Sequence, residues 1–81
     1  MLTAIVLVNA SRGAANETAE AIVRLPGVVE VHSIAGKWDL AAIVKVEKNE
    51  QLADLVTNRM LKLEGIQKTT TLVAFRTFTR P

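Results

Sequence analysis

The stretch of this 81-residue chain best equipped for chemistry is Gly36-Lys37-Trp38-Asp39. Glycine permits a tight turn, and an aspartate at the exit of that turn can fix backbone N–H groups or meet a ligand ammonium. The one tryptophan of the chain stands between them, at a tip where so small a fold has little core to bury it. A turn tryptophan is usually a packing residue of an interface. Farther along, Thr69 and Thr71 carry hydroxyls able to hold a carboxylate, although β propensity alone explains much of a threonine run. An acid beside hydroxyls matches the ammonium and the carboxylate of a free amino acid.

Other chemistries find few residues to work with. Absence of cysteine removes disulfides, thiolate zinc sites and thiol catalysis together. The single histidine, His32, is accompanied by no metal-ligand pair and, on an edge strand, reads as a surface or interface residue rather than a base. Most of the eight acids fall on helix surfaces or helix starts, where solvated charge is the ordinary explanation; Asp39 is the exception. Asn9 to Ala14 leads into a helix start that could offer N–H groups to an anion, but it lacks phosphate-loop spacing, so Arg12 reads as a surface or subunit contact. The ten lysines and arginines are scattered, without the stripe that tracks a phosphate backbone, and the formal charge is only +2. No cofactor is expected, and no direct nucleic-acid contact. No apolar run approaches the ~20 residues that span a bilayer; with no targeting signal in view, a cytoplasmic location and no membrane partner are expected.

The elements that must position these residues are written twice. Ala4-Ile5-Val6-Leu7-Val8 recurs as Ala42-Ile43-Val44-Lys45-Val46, 38 positions later, and Val23-Arg24-Leu25-Pro26-Gly27-Val28 falls on Leu61-Lys62-Leu63-Glu64-Gly65-Ile66 at the same offset. Two matches at one offset indicate two copies of a strand, helix, strand unit. Thr3–Asn9 and Leu40–Glu47 are β-branched and too short for helices, so they are the first and third strands. Leu52, Leu55, Val56, Met60 and Leu63 step along one face of a helix from Asn49, its N-cap, to Glu64, with Gly65 in a left-handed C′ position. A weaker helix runs from Ala14 to Leu25 and stops at Pro26-Gly27. Val28–Ala35 and Gln67–Thr79 complete the strands.

The order βαββαβ with right-handed crossovers predicts an α+β, ferredoxin-like fold: one domain over residues 1–81, a four-stranded antiparallel sheet and two helices on one face. The apolar first and third strands belong in the centre, the polar second and fourth at the edges. Ala4, Val6 and Val8 share one face with Ala42, Val44 and Val46, while Ile5 and Leu7 share the other with Ala41 and Ile43. Two helices cover one face only. The other is an unusually large apolar patch unless a second copy covers it, so a face-to-face homodimer is expected, a dimeric α/β-barrel-like assembly.

In their order and spacing, Leu25-Pro26-Gly27-Val28, Gly36-Lys37-Trp38-Asp39, Leu63-Glu64-Gly65-Ile66 and Thr69-Thr70-Thr71-Leu72-Val73 resemble the ligand-binding (RAM) domain of the Lrp/AsnC transcription regulators, over nearly the whole chain. The resemblance implies dimers that assemble into octamers or decamers. It also implies an amino acid or similar small effector held between dimers by Gly36, Lys37, Trp38 and Asp39 and by Thr69 and Thr71, with Lys37 and Trp38 shaping the side-chain pocket. Those regulators carry a helix-turn-helix domain ahead of the sheet, whereas Met1 here abuts the first strand. The expectation is therefore a sensor without its own DNA reader, not an enzyme, acting alone or with full-length relatives. The alternative is a small dimeric α/β-barrel enzyme, monooxygenase- or isomerase-like; it is disfavoured because such pockets use histidine, tyrosine or tryptophan, and this chain has no tyrosine and one histidine.

Overall fold

A computed structural model describes residues Met1–Pro81. Strand β1 (Leu2–Ala10) leads through a short turn to helix α1 (Ala15–Val23), and strands β2 (Val28–Ser33) and β3 (Leu40–Val46) form a hairpin. Helix α2 (Asn49–Asp54) continues as a π turn (Leu55–Arg59) and a 3₁₀ turn (Met60–Lys62) before strand β4 (Ile66–Val73). The sheet order is β2-β3-β1-β4 and every neighbouring pair is antiparallel. This is the ferredoxin-like arrangement, with the two most apolar strands in the centre.

The alternation of the strands sorts their side chains as expected. Ala4, Val6 and Val8 of β1 and Leu40, Ala42, Val44 and Val46 of β3 are buried, and they meet Ile22 of α1 and Leu52, Leu55 and Met60 of the second helical segment in one core. Ile5, Leu7, Ala41 and Ile43 face the opposite way and stay half-exposed, with Leu72 of β4 opposite Ile5 and open to solvent.

Four expectations are corrected, each for a physical reason. The fourth strand stops at Val73, not Thr79: Val73 already pairs with Ala4, the Ala74 N–H reaches Thr3 O at 2.9 Å, and β1 begins at Leu2, so later residues have no strand left to pair with. The second helix is not regular. Leu55 and Met60 are both buried yet five residues apart, which an α-turn of 3.6 residues cannot place on one face. The π turn can, and the Met60 N–H lies on Leu55 O and Val56 O. Asn49 is already helical; Lys48 holds the extended N-cap position, and the Gln51 side-chain oxygen accepts from the Glu47 and Lys48 N–H groups at 2.8 and 2.9 Å. Gly65, finally, has no left-handed backbone. It is needed because a Cβ there would fall inside the Thr18 side chain, which is itself buried.

Candidate functional site

Gly36 has φ +123°, a conformation open to glycine and strained for other residues, so the hairpin can fold back over the end of the central strands. Gly36 and Lys37 are exposed, and Trp38 and Asp39 are half-buried. The backbone of Asp39 is tied down on both sides: its N–H donates to Val8 O and its carbonyl accepts from the Ile34 N–H, both at 3.0 Å. Its carboxylate Oδ2 accepts the Ala10 N–H at 2.8 Å. That donor sits at the irregularity between Asn9 and Ala10, where β1 slips against β4 and a backbone N–H would otherwise lack a ladder partner. Of the two roles open to this aspartate, the structure therefore shows the backbone-fixing one, and the second carboxylate oxygen has no hydrogen-bond partner within the chain.

Trp38 has a partner that sequence reasoning missed. Lys68 Nζ lies 5.6 Å from its ring centroid, a cation–π distance. The register explains the meeting: Val8 pairs with Leu40 and Asn9 with Lys68, so the hairpin exit and the start of β4 lie on the same rows, either side of β1. The one available signal was the position of Lys68 next to Thr69.

Thr69 and Thr71 pair with Val8 and Val6 and so share the helix-ward face of the sheet, whereas Lys68 and Thr70 pair with Asn9 and Leu7 on the open face. Thr69 thus lies near the hairpin end of the sheet and Thr71 toward its middle, both on the helix-ward face, and with the hairpin they do not close a pocket in one chain. The two grooves the single chain forms lie elsewhere. One, of about 490 Å³, runs between the Pro26-Gly27 turn and α2; the other, of about 440 Å³, runs between α1 and Gly65. His32 is exposed on β2, its Nε2 2.6 Å from Glu30 Oε2. No three His, Cys, Asp or Glu side chains are gathered anywhere in a metal-holding group. No helix is long and apolar enough to cross a membrane.

Residues 3–81 match the family model of the Lrp/AsnC ligand binding domain. The chain belongs to that family. It is 41% identical over 61 residues to an HTH-type transcriptional regulator of Pyrococcus horikoshii, covering 75% of the chain but only 41% of that relative. Its fold superposes on TTHA0845 of Thermus thermophilus with a TM-score of 0.92 at 44% identity, over 99% of this chain and 100% of the other. A regulator from Neisseria meningitidis, NMB0573, solved in complex with L-Met, shares the fold at a TM-score of 0.87 and 17% identity, over 98% of this chain and 53% of its own. As a member of the Lrp/AsnC ligand-binding domain family, the chain has curated relatives that are named as transcriptional regulators, and it spans about two-fifths of the length of those it matches at about 40% identity.

Proposed function

We propose that these 81 residues bind an amino acid, or a close chemical relative, at a joint between copies of the chain, and that occupancy sets how the copies assemble and regulate transcription. The observation that carries this reading is Asp39: a half-buried carboxylate anchored through one oxygen to Ala10 N–H and left with the other to accept an ammonium. Beside it, Gly36 opens the turn and Lys37 and Trp38 line the approach, and Thr69 and Thr71 of the edge strand are the hydroxyls proposed to hold a carboxylate across the joint. Within one chain the threonines stand apart from Asp39 on the helix-ward face of the edge strand, so in this reading a neighbouring copy brings the carboxylate and ammonium partners together. The L-Met complex of the Neisseria regulator supports the effector class.

Assembly begins with the open face, where Ile5, Leu7, Ala41, Ile43 and Leu72 stack against the same residues of a second copy. Such dimers then associate into rings of eight or ten chains. The module senses rather than reads DNA, its scattered cations being poorly placed to follow a phosphate backbone, and it acts in the cytoplasm, alone or in assemblies with full-length regulators. Its role is regulatory, not catalytic.

Thermal unfolding against the twenty amino acids tests the reading. A ligand at a hundred times its dissociation constant stabilises by about 2.7 kcal/mol, and no shift across the panel overturns it. The variant D39N sharpens the test, because its side-chain oxygen still accepts the Ala10 N–H while its charge is gone. Stability close to wild type with the ligand shift lost is the expected outcome; an unchanged shift moves the ammonium site elsewhere.

A further inference from the structure

Past Ala74, whose N–H is held by Thr3 O, residues 75–81, Phe-Arg-Thr-Phe-Thr-Arg-Pro, leave the sheet at the end where β1 begins and make no backbone hydrogen bond to the rest of the chain. Phe75 is fully exposed and Phe78 is 87% exposed. Each ring would bury ~150–250 Å² against a partner. A two-fold pair of tails therefore holds roughly 600–1,000 Å² of aromatic surface in reserve, a large share of the ~1,200–2,000 Å² of a stable interface.

The same end of the sheet carries the larger groove. Its apolar floor is the surface of the exposed Pro26 and of Gly27, over the buried Val46 and Leu55, and its rim bears Glu47, Glu50 and Asp54. Of the two cations that also line it, Arg59 is committed to Asp54 at 3.2 Å, which leaves Glu47 and Glu50 facing Lys45 alone. The floor suits aromatic rings and the rim suits guanidinium groups, and the tail alternates the two: Phe75, Arg76, Phe78, Arg80.

We infer that the tail is an exchange arm whose seat is the acid-rimmed groove of a second copy. The inference rests on the proposed stacking of open faces. When two sheets stack about a two-fold axis parallel to their strands, β4 of one lies over β2 of the other with strand ends aligned, so the tail leaves beside the partner's Pro26-Gly27 turn. At ~3.3 Å per residue Phe75 stays within about 3 Å of Ala74, at the mouth of the gap between the stacked sheets, whereas Phe78 reaches about 13 Å, past the ~10 Å gap, and Arg80 about 20 Å, round the partner's edge. The arm's own chain holds the rings in water, and the exchange buries both of them twice per dimer.

Sedimentation equilibrium of the full chain and three variants tests the arm. F75A/F78A is expected to weaken dimerisation at least tenfold. E47K/E50K is expected to weaken it severalfold, and adding R76E/R80E to that variant should restore it to within about threefold of wild type. If the wild-type chain dimerises and both double variants dimerise equally well, the arm is wrong and the stacked sheets stand. Unchanged constants together with Phe75 and Phe78 proton resonances that move in E47K/E50K place the arm on its own groove and overturn the exchange. A combined variant as weak as E47K/E50K alone overturns the groove as the seat. A wild-type chain that stays monomeric at micromolar concentration removes the stacking, and the arm with it.

Discussion

The two halves of the molecule are the same unit written twice, and they meet at their own symmetry point: Ile5 pairs directly with Ile43, its equivalent 38 residues on. From there each half sends out a helix and an edge strand, and each forms one groove, between a helix and the glycine turn of the other half: Gly27 against α2, Gly65 against α1. The halves then diverge in three places. The first helix is a plain α-helix, whereas the second switches to a π turn. Gly27 is left-handed with φ +94° and Gly65 is not. The edge strand of the first half turns at Gly36 into β3, carrying Asp39 back onto β1, while that of the second half runs past the start of β1 into the exposed residues 75–81. What an internal repeat conserves is the core pattern; what it releases is the end of each copy, and here one end carries the candidate effector residues and the other the proposed arm.

The largest effect that would break this comparison is a cavity at its helical divergence. Leu55→Ala or Met60→Ala empties a buried site whose only route into the core is the π turn, and a loss of about 2–5 kcal/mol is expected in chemical denaturation. If either cost well under about 1 kcal/mol, the π turn would not be explained by the need to bury both.

Next come the two glycines. At Gly65 an alanine Cβ meets the side chain of Thr18, buried at 4% exposure, so Gly65→Ala should cost about 1–3 kcal/mol through overpacking, and Thr18→Ala should return part of it in a double-mutant cycle. At Gly27 two penalties combine: left-handed strain of about 1–2 kcal/mol and a Cβ 2.7 Å from Val46 Cγ1. Trimming Val46 relieves only the contact. Rescue of Gly65→Ala without full rescue of Gly27→Ala would establish that equivalent glycines serve different physical needs.

This contrast marks where the chain is legible. Strand alternation and the repeat specify the sheet order, the buried face and the central strands, because period-two burial leaves a direct trace in residue types. The Gly36 turn and the placement of Asp39 are legible for the same local reason. Gly65 misleads because a glycine kept for close approach and a glycine kept for φ look identical in sequence. The π turn is hidden because Leu52, Leu55, Val56, Met60 and Leu63 fit a helical face loosely enough to conceal one extra residue. Strand β4 reads too long because its threonines and Val73, and Phe75, Thr77, Phe78 and Thr79 beyond it, favour β structure to Thr79, while the limit is set by where β1 begins. The placement of Lys68, Thr69 and Thr71 relative to the hairpin depends on the register of β4 on β1, which no local pattern states.

A smaller change sharpens the helical divergence. Thr57 is exposed within the π turn. Deleting it brings Leu55 and Met60 to an α-helical spacing of four with both side chains still inward, as in the plain helix of the first half. A stability change under about 1 kcal/mol is expected, because one exposed residue leaves and no buried contact does. A loss the size of Leu55→Ala would mean that the π turn is locked by more than side-chain phase.

The smallest effect concerns Asp54, which joins α2 to that turn. Its carboxylate accepts from Asn58 Nδ2 at 2.8 Å and from Arg59 Nε at 3.2 Å, and these two hydrogen bonds, Asn58 first, hold its pKa below the ordinary 3.8. A carboxyl whose pKa is depressed by folding adds stability that is present above the unfolded value and is lost as pH falls through the folded one. The group lies at the surface, so solvent screening keeps the contribution small. The melting temperature of D54N should therefore lie slightly below that of the wild type at neutral pH, and the two should converge as pH drops below about 3.8. A gap between D54N and wild type that widened on acidification would reverse the sign of this argument and detach Asp54 from the helix that lines the acid-rimmed groove.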